Sequence, residues 1–548
     1  MRNTVKPNYV LKALVICTLI IFSTSINAQD RPRLVVGIVV DQMRYDYLYK
    51  YWDDYGDNGF KRLMLQGQVV QDGHYHYAPT YTGPGHASIY TGSSPALHGI
   101  IANEWYSRQA KRFIYCTEDQ QVNSVGTVSP NGKMSPRNMT ATTVTDQLEL
   151  ATGKKAKTYG ISIKDRGAIL PAGYLTDGAY WYDASTGHFI TSDYYRSELP
   201  EWVKTFNNQD LVNTYLDQIW TPLLPLDQYN ESWPDDSRFE RPFTHTEKAV
   251  FPYDLKTISA LKRFGISNSK TGLLPITPYG NTLLFEFAKT LVHNEKLGED
   301  NITDLLAISF STPDYAGHQF GAHSMELQDI YLRLDRELGQ FLDFIDQNIG
   351  LKQTLFFLTA DHGAADAPGL ISPPAGYFKS AAFEDTLRKY LVKKLGDDPI
   401  ENISNQQIFF RNETVSDLEG IRNIITPFAL SFPGVHSILN LHDLSTCMVD
   451  EGLCNRLKKG VMPGRSGDLY VQYYPGWIDE WAEKGGTTHG SAYAYDTHVP
   501  ILFFGWKIKP GESYTRTYIQ DIAPTVCQLL KLTYPSGCTG TPIKSVLE

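Results

Sequence analysis

The sequence predicts an α/β fold, a sandwich with a mostly parallel central sheet flanked by helices. Three observations carry that expectation. Continuous apolar runs rich in Val, Ile, Leu and Phe recur, as strands buried on both faces of a parallel sheet require. Amphipathic stretches at helical spacing separate them. The turns that follow the runs carry Asp, His and Lys, and open α/β sheets bind ligands beyond the carboxyl ends of their strands.

The chain begins with Arg2, Lys6 and Lys12 ahead of an apolar run, Ala13 to Phe22, and then Ile26-Asn27-Ala28. This is the pattern of an export signal over residues 1–28. The run is short for a membrane span. Arg33 to Val40 reads as a strand with Asp41 at its carboxyl end. In Tyr81-Thr82-Gly83-Pro84-Gly85-His86-Ala87-Ser88 a Gly/Pro-rich turn lifts a hydroxyl out of the backbone and opens a helix whose free N–H groups suit an anion. Thr142 to Leu150 reads as a helix, and Lys155 to Ile163 as a strand running into Lys164-Asp165-Arg166-Gly167. Across residues 172–277 Trp, Tyr, Pro and Asn crowd together without periodicity, as in an inserted cap.

Thr282 to His293 is a further helix, and Leu305 to Phe310 is a strand running into a turn with Asp314 and His318. Leu327, Ile330, Tyr331, Leu334, Leu338, Phe341, Leu342 and Ile345 mark one face of a long helix. Thr354 to Thr359 is a strand ending in Asp361-His362-Gly363. A second irregular insert covers residues 364–485 and holds one helix, Ala382 to Leu395. Thr488-His489-Gly490, a strand Val499 to Phe504 and a helix Ile519 to Leu530 close the chain.

With 548 residues, 42% of them hydrophobic, the chain can bury a large core. A formal net charge of −10 argues against a general nucleic-acid or acidic-membrane partner. No segment after the signal is long and apolar enough to span a membrane, so a periplasmic or secreted monomer is expected. Cys447/Cys454 and Cys527/Cys538 are close enough in sequence to pair in an oxidising compartment, which would leave Cys116 unpaired. No CxxC exists, which argues against a thiolate zinc site.

Asp41, Asp361 and His362 directly follow strands, Asp314 and His318 stand four apart after another, and His489 sits in a Gly-rich turn. Three carboxylates and three imidazoles suit two divalent ions with three protein ligands each, and incomplete shells leave room for substrate and nucleophile. Thr82 is the candidate nucleophile. Its hydroxyl is protonated at neutral pH, and a neighbouring cation makes the alkoxide accessible.

These motifs, in this order, resemble those of the alkaline phosphatase superfamily. With Lys164-Asp165-Arg166-Gly167 they are most similar to its secreted, phosphate-irrepressible bacterial branch, the PafA-like enzymes. The resemblance covers nearly the whole mature chain and implies an alkaline-phosphatase-like sandwich with inserted cap regions. It implies two zinc ions per chain, one held by Asp314, His318 and His489, the other by Asp41, Asp361 and His362 with Thr82 beside it. Asn103, Lys164 and Arg166 match the groups that hold the non-bridging phosphoryl oxygens. The implied activity is hydrolysis of small-molecule phosphate monoesters through a phosphothreonine. Thr replaces the Ser nucleophile of the best-known members, and their Asp-Ser-Ala-type turn is missing, so the resemblance does not extend to their magnesium third site.

The nearest alternative is a phosphodiesterase or nucleotide pyrophosphatase on the same scaffold. A sulfatase is disfavoured because C-x-P-x-R is missing. A non-catalytic, metal-containing surface binding protein is the alternative of another class. His86, beside Thr82, is expected to be structural, as are His74, His76 and His98. Asp165 is expected to turn away from its two cationic neighbours.

Overall fold

Leu34–Val40 is buried along its whole length and lies inside a ten-stranded mixed sheet. The structure, a computed structural model, describes residues 31–244, 246–261, 269–370, 375–411, 417–444 and 452–548. The expected export signal and Cys447 lie outside these residues. Leu34–Val40 runs parallel to Asp304–Phe310 on one side and to Thr354–Thr359 on the other. Asp304–Phe310 in turn runs parallel to Thr158–Ser162. All four strands are buried at every position, which is why apolar residues dominate Leu34–Val40, Asp304–Phe310 and Thr354–Thr359. Ile501–Gly505 closes against Thr354–Thr359 in antiparallel register.

This topology fixes the site. Four adjacent parallel strands end at one edge, so Lys164, Asp314, Asp41 and Asp361, far apart in sequence, emerge side by side. The helix Thr82–Thr91 packs on the same sheet. A Cβ at Gly37 would lie 2.3 Å from the Tyr90 hydroxyl, so glycine in mid-strand is what lets helix and sheet approach. The long helix Met325–Asn348, capped by Ser324 accepting from the Leu327 N–H, buries Leu327, Ile330, Leu334, Leu338 and Ile345. Val144–Thr152 starts with a reciprocal capping box between Thr143 and Asp146.

Two regions differ from their reading as irregular. Gly178–Asp183 and His188–Ser192, inside the first expected insert, pair antiparallel and extend the central sheet. Tyr180, Trp181 and Tyr182 of the first strand are buried in succession, on both faces, which erases the alternation that marks a half-buried strand. The second region folds into a lobe with its own apolar core and a four-stranded sheet of Ile400–Ser404, Gln407–Phe410, Leu469–Tyr473 and Val435–Asn440. Beyond the expected helix, seen as Ser380–Leu395, this lobe holds Leu418–Ser431, a helix that carries Pro427 inside it, a residue that disfavours helix interiors.

Cys454 is disulfide-bonded. Cys527 and Cys538 are free thiols, so that anticipated pair is not made, and Cys116 is free and buried. No helix among the described residues is long and apolar enough to cross a membrane.

Candidate active site

Tyr81 is extended, with φ −121° and ψ 161°, and Thr82 is the first residue of a helix buried throughout. The Gly85 N–H closes the turn on the Tyr81 carbonyl at 2.9 Å. A Cβ on Gly85 would stand 2.3 Å from the Asp361 carbonyl oxygen, so the Gly-framed turn is what allows the hydroxyl to sit against the strand end that carries Asp361 and His362. Thr82 Oγ1 is 3.5 Å from His362 Nε2. Asn103 Oδ1 accepts the Gly83 N–H at 2.8 Å, which ties Asn103 to the same turn.

All six expected ligands meet at this edge. Ligand atoms of Asp41, Asp361 and His362 lie within 4.8 Å of one another, as do those of Asp314, His362 and His489. His318 Nε2 is 3.1 Å from Asp314 Oδ1, and His489 Nε2 is 3.6 Å from the same oxygen. The His362 and His489 rings stack with centroids 3.4 Å apart.

The remaining ring nitrogens explain this convergence. His318 Nδ1 donates to the Thr487 carbonyl at 2.8 Å, His362 Nδ1 to that of Gly363 at 2.9 Å, and His489 Nδ1 to that of Thr80 at 2.8 Å. A backbone carbonyl on Nδ1 fixes the tautomer and leaves the Nε2 lone pair to a ligand. Asp41 Oδ1 and Asp361 Oδ2 are buried with no hydrogen-bond partner. Unpartnered carboxylate oxygens facing imidazole lone pairs fit a divalent cation and little else.

The charges agree. Burial pushes His362 down to about 3 and His489 well below its usual range, so both are neutral. Burial, then the charge of Asp41, holds the Asp361 carboxyl well above the usual range. Burial acts the same way on Asp314, but His318 and Lys164 outweigh it and hold that carboxyl well below.

Lys164 Nζ donates to Asp41 Oδ2 at 2.7 Å and to Asp314 Oδ2 at 2.5 Å, and lies 4.9 Å from the Tyr315 ring centre. Arg166 Nη1 donates to the Tyr115 hydroxyl at 2.9 Å, while its buried Nε has no partner. Asp165 accepts from Tyr115 and Thr117. His86 is engaged at both nitrogens, by the Thr82 carbonyl at 2.9 Å and Ser309 Oγ at 2.7 Å, in the structural role expected of it.

Three neighbours escaped sequence reasoning. Gln42 donates through Nε2 to Asp314 Oδ1 at 2.7 Å and through its backbone N–H to Asp361 Oδ1 at 3.1 Å, from a left-handed φ of 63°. Tyr115 and Tyr315 flank the two cationic side chains. Adjacency to Asp41 was the only clue to Gln42, and nothing local marks either tyrosine. A third Asp/His group, Asp72, His74 and His498, was also missed. Its Asp72 is held by Arg516 at 2.7 Å, and its two rings stack at 4.5 Å.

Metal-dependent hydrolysis of an anionic ester is the chemistry for which this edge of the sheet is equipped. The sequence-family model described as "Type I phosphodiesterase / nucleotide pyrophosphatase" matches residues 35–492. The chain is 41% identical over 529 residues to alkaline phosphatase PafA of Elizabethkingia meningoseptica, covering 95% of each protein. It is 42% identical over 529 residues, again 95% of each, to a Myroides odoratus protein named calcium-transporting ATPase. The crystal structure of wild-type PafA matches with a TM-score of 0.90 over 95% of this chain and 100% of that one. The chain belongs to the alkaline phosphatase superfamily and stands close to PafA within it.

Proposed function

We propose that this protein is an exported, zinc-dependent phosphomonoesterase that works through a phosphothreonine intermediate. The observation that carries the reading is the shared arrangement of His318, His362 and His489, each with Nδ1 on a backbone carbonyl and Nε2 turned toward buried carboxylates. Asp314, His318 and His489 would hold one zinc ion, and Asp41, Asp361 and His362 the other, beside Thr82. Bound there, the pair supplies positive charge to the entering and departing oxygens of an in-line displacement and makes hydroxide available near neutral pH.

Thr82 offers its hydroxyl from the first residue of a helix, where free N–H groups and the helix dipole favour an arriving phosphate. Its oxygen attacks phosphorus, the alcohol departs on the opposite side, and water then cleaves the phosphothreonine. Asn103, with its carbonyl oxygen committed to Gly83, keeps its NH2 donors for a non-bridging oxygen. Lys164 and Arg166 add two cations. A monoester dianion, with no second organic group, can engage both, whereas a diester carries one charge and needs space for its second substituent. Export rests on the signal pattern at residues 1–28.

Thorough chelation is expected to abolish hydrolysis of phenyl phosphate, and zinc to restore it. Turnover in a metal-free sample would overturn the reading. The family match to phosphodiesterases keeps a second reading in view. The ratio of kcat/KM for 4-nitrophenyl phosphate to that for its methyl diester separates them, and a ratio below one selects the diesterase. Zinc retained without turnover of either ester selects the non-catalytic binding protein.

A further inference from the structure

The second lobe does more than cover the sheet edge. Between it and the Thr82 turn lies a cavity of about 490 Å³. Tyr81, Thr488 and His489 form its inner wall, and Phe378, Tyr473 and Trp477 of the lobe form much of the rest. Tyr81 meets the His489 ring edge-on at 5.8 Å, Phe378 and Tyr473 stack at 4.1 Å, and Trp481, also on the wall, meets His318 at 5.3 Å. The cavity therefore opens from the His318–His489 half of the site. Thr82 Oγ1 lies on the His362 side. In-line displacement sends the alcohol away from the attacking hydroxyl, so a leaving group that departs past His489 would enter this cavity.

The charge of the cavity is one-sided. Among the described residues that line it none is Lys or Arg, while Glu384, Asp479 and Asp496 carry carboxyl groups. Glu384 is paired with Arg388 at 2.8 Å. Asp496 is tied to the Ser491 N–H at 2.7 Å, and burial pushes its carboxyl up to about 7. Among the described residues Asp479 makes no ion pair and accepts the Trp481 N–H at 3.2 Å and the Ser380 hydroxyl at 3.4 Å. A carboxylate without a cation, set among aromatic faces, is the environment in which organic ammonium groups are held.

We infer that this cavity receives the leaving group and selects phosphate monoesters whose alcohol bears an ammonium group, with Asp479 as the charge partner. The inference rests on the phosphomonoesterase reading above, and its test reads the two separately. Phenyl phosphate turnover reports the phosphatase alone. Phosphocholine, glycerol 3-phosphate and 3-phosphoglycerate then compare cationic, neutral and anionic leaving groups. At low salt, kcat/KM for phosphocholine is expected to exceed that for 3-phosphoglycerate by at least ~10-fold.

Asp479→Asn keeps a side-chain acceptor for the Trp481 N–H and is expected to cut that ratio by ~5-fold or more. Glu384→Gln, which removes an already neutralised charge, is expected to move it by less than ~2-fold. Choline chloride alone is expected to change the fluorescence of the wall tryptophans, an effect weakened in Asp479→Asn and independent of turnover. Equal rates on the cationic and anionic esters together with no choline response would overturn the inference. So would a ratio moved equally by Asp479→Asn and Glu384→Gln.

Discussion

Of two groups of buried carboxyls in this molecule, one at the strand ends and one beside the long helix, only the first is equipped for chemistry. Asp41, Asp314 and Asp361 stand at the strand ends among three imidazoles and Lys164. Glu240 and Glu326 face each other where the first cap region meets the long helix, with Tyr253 donating to Glu326. Burial, reinforced by the neighbouring acid charges, raises both of these glutamates, yet burial also raises Asp361. A raised carboxyl is thus common to the two groups and does not by itself mark function. What separates them is the partner set. Around the aspartates, Nε2 lone pairs and a lysine make room for cations. Around the glutamates no base among the described residues takes the proton, and the neighbouring Arg241 turns its guanidinium to the carbonyls of Trp481 and Gly485.

The sharpest break between the groups comes at Thr82. Thr82→Ala is expected to lower kcat/KM for phenyl phosphate by ~10⁴-fold or more and to abolish a phosphorylated intermediate detectable by mass spectrometry. Glu240→Gln, assayed alongside, is expected to stay within ~2-fold of the parent. A large loss in the latter would dissolve the distinction.

Next in size is Arg166. Its guanidinium is anchored by Tyr115 through Nη1, and a dianionic ester gains more from it than a diester does. Arg166→Ala is expected to cost ~10²–10³-fold in kcat/KM on monoesters and under ~10-fold on the methyl diester. Equal losses on both would leave the side chain a structural role only.

A smaller effect is expected at Gln42, which orients two of the aspartates. Gln42→Asn keeps a residue that tolerates the left-handed backbone but shortens the reach to Asp314. Zinc affinity, measured by competition with a chelator, is expected to weaken ~10–100-fold, the range typical of groups that position a ligand. Unchanged affinity would confine Gln42 to the turn.

The legibility of this molecule followed burial. Strands such as Leu34–Val40 and Asp304–Phe310 were readable because both faces are covered and, after Asp304 at the start of the second, every position is apolar or small. The ligands were readable because each lies within a few residues of such a strand or in a glycine turn. Ile400–Ser404 was not, since its half-buried sequence IENIS has neither a continuous run nor a clean alternation. Tyr115 reaches Arg166 across 51 residues, and Asp479 meets the catalytic turn only because the lobe folds over it. Those contacts belong to tertiary packing, which local pattern does not encode.

The glutamate pair acts on stability rather than turnover. Glu240 and Glu326 have folded-state values raised above the ordinary 4.5 of a free glutamate. Above 4.5 the unfolded chain releases these protons while the folded chain keeps them, so the pair lowers stability as pH rises toward the raised values. Neither Glu240 oxygen has a hydrogen-bond partner to oppose that trend. Urea unfolding of the zinc-loaded protein at about pH 6 and about pH 9 is therefore expected to show a drop in stability that shrinks by ~1–3 kcal/mol in Glu240→Gln, which carries no proton to lose. An undiminished drop would mean that the glutamates find a cation on folding, and the contrast with the strand-end aspartates would then be one of degree.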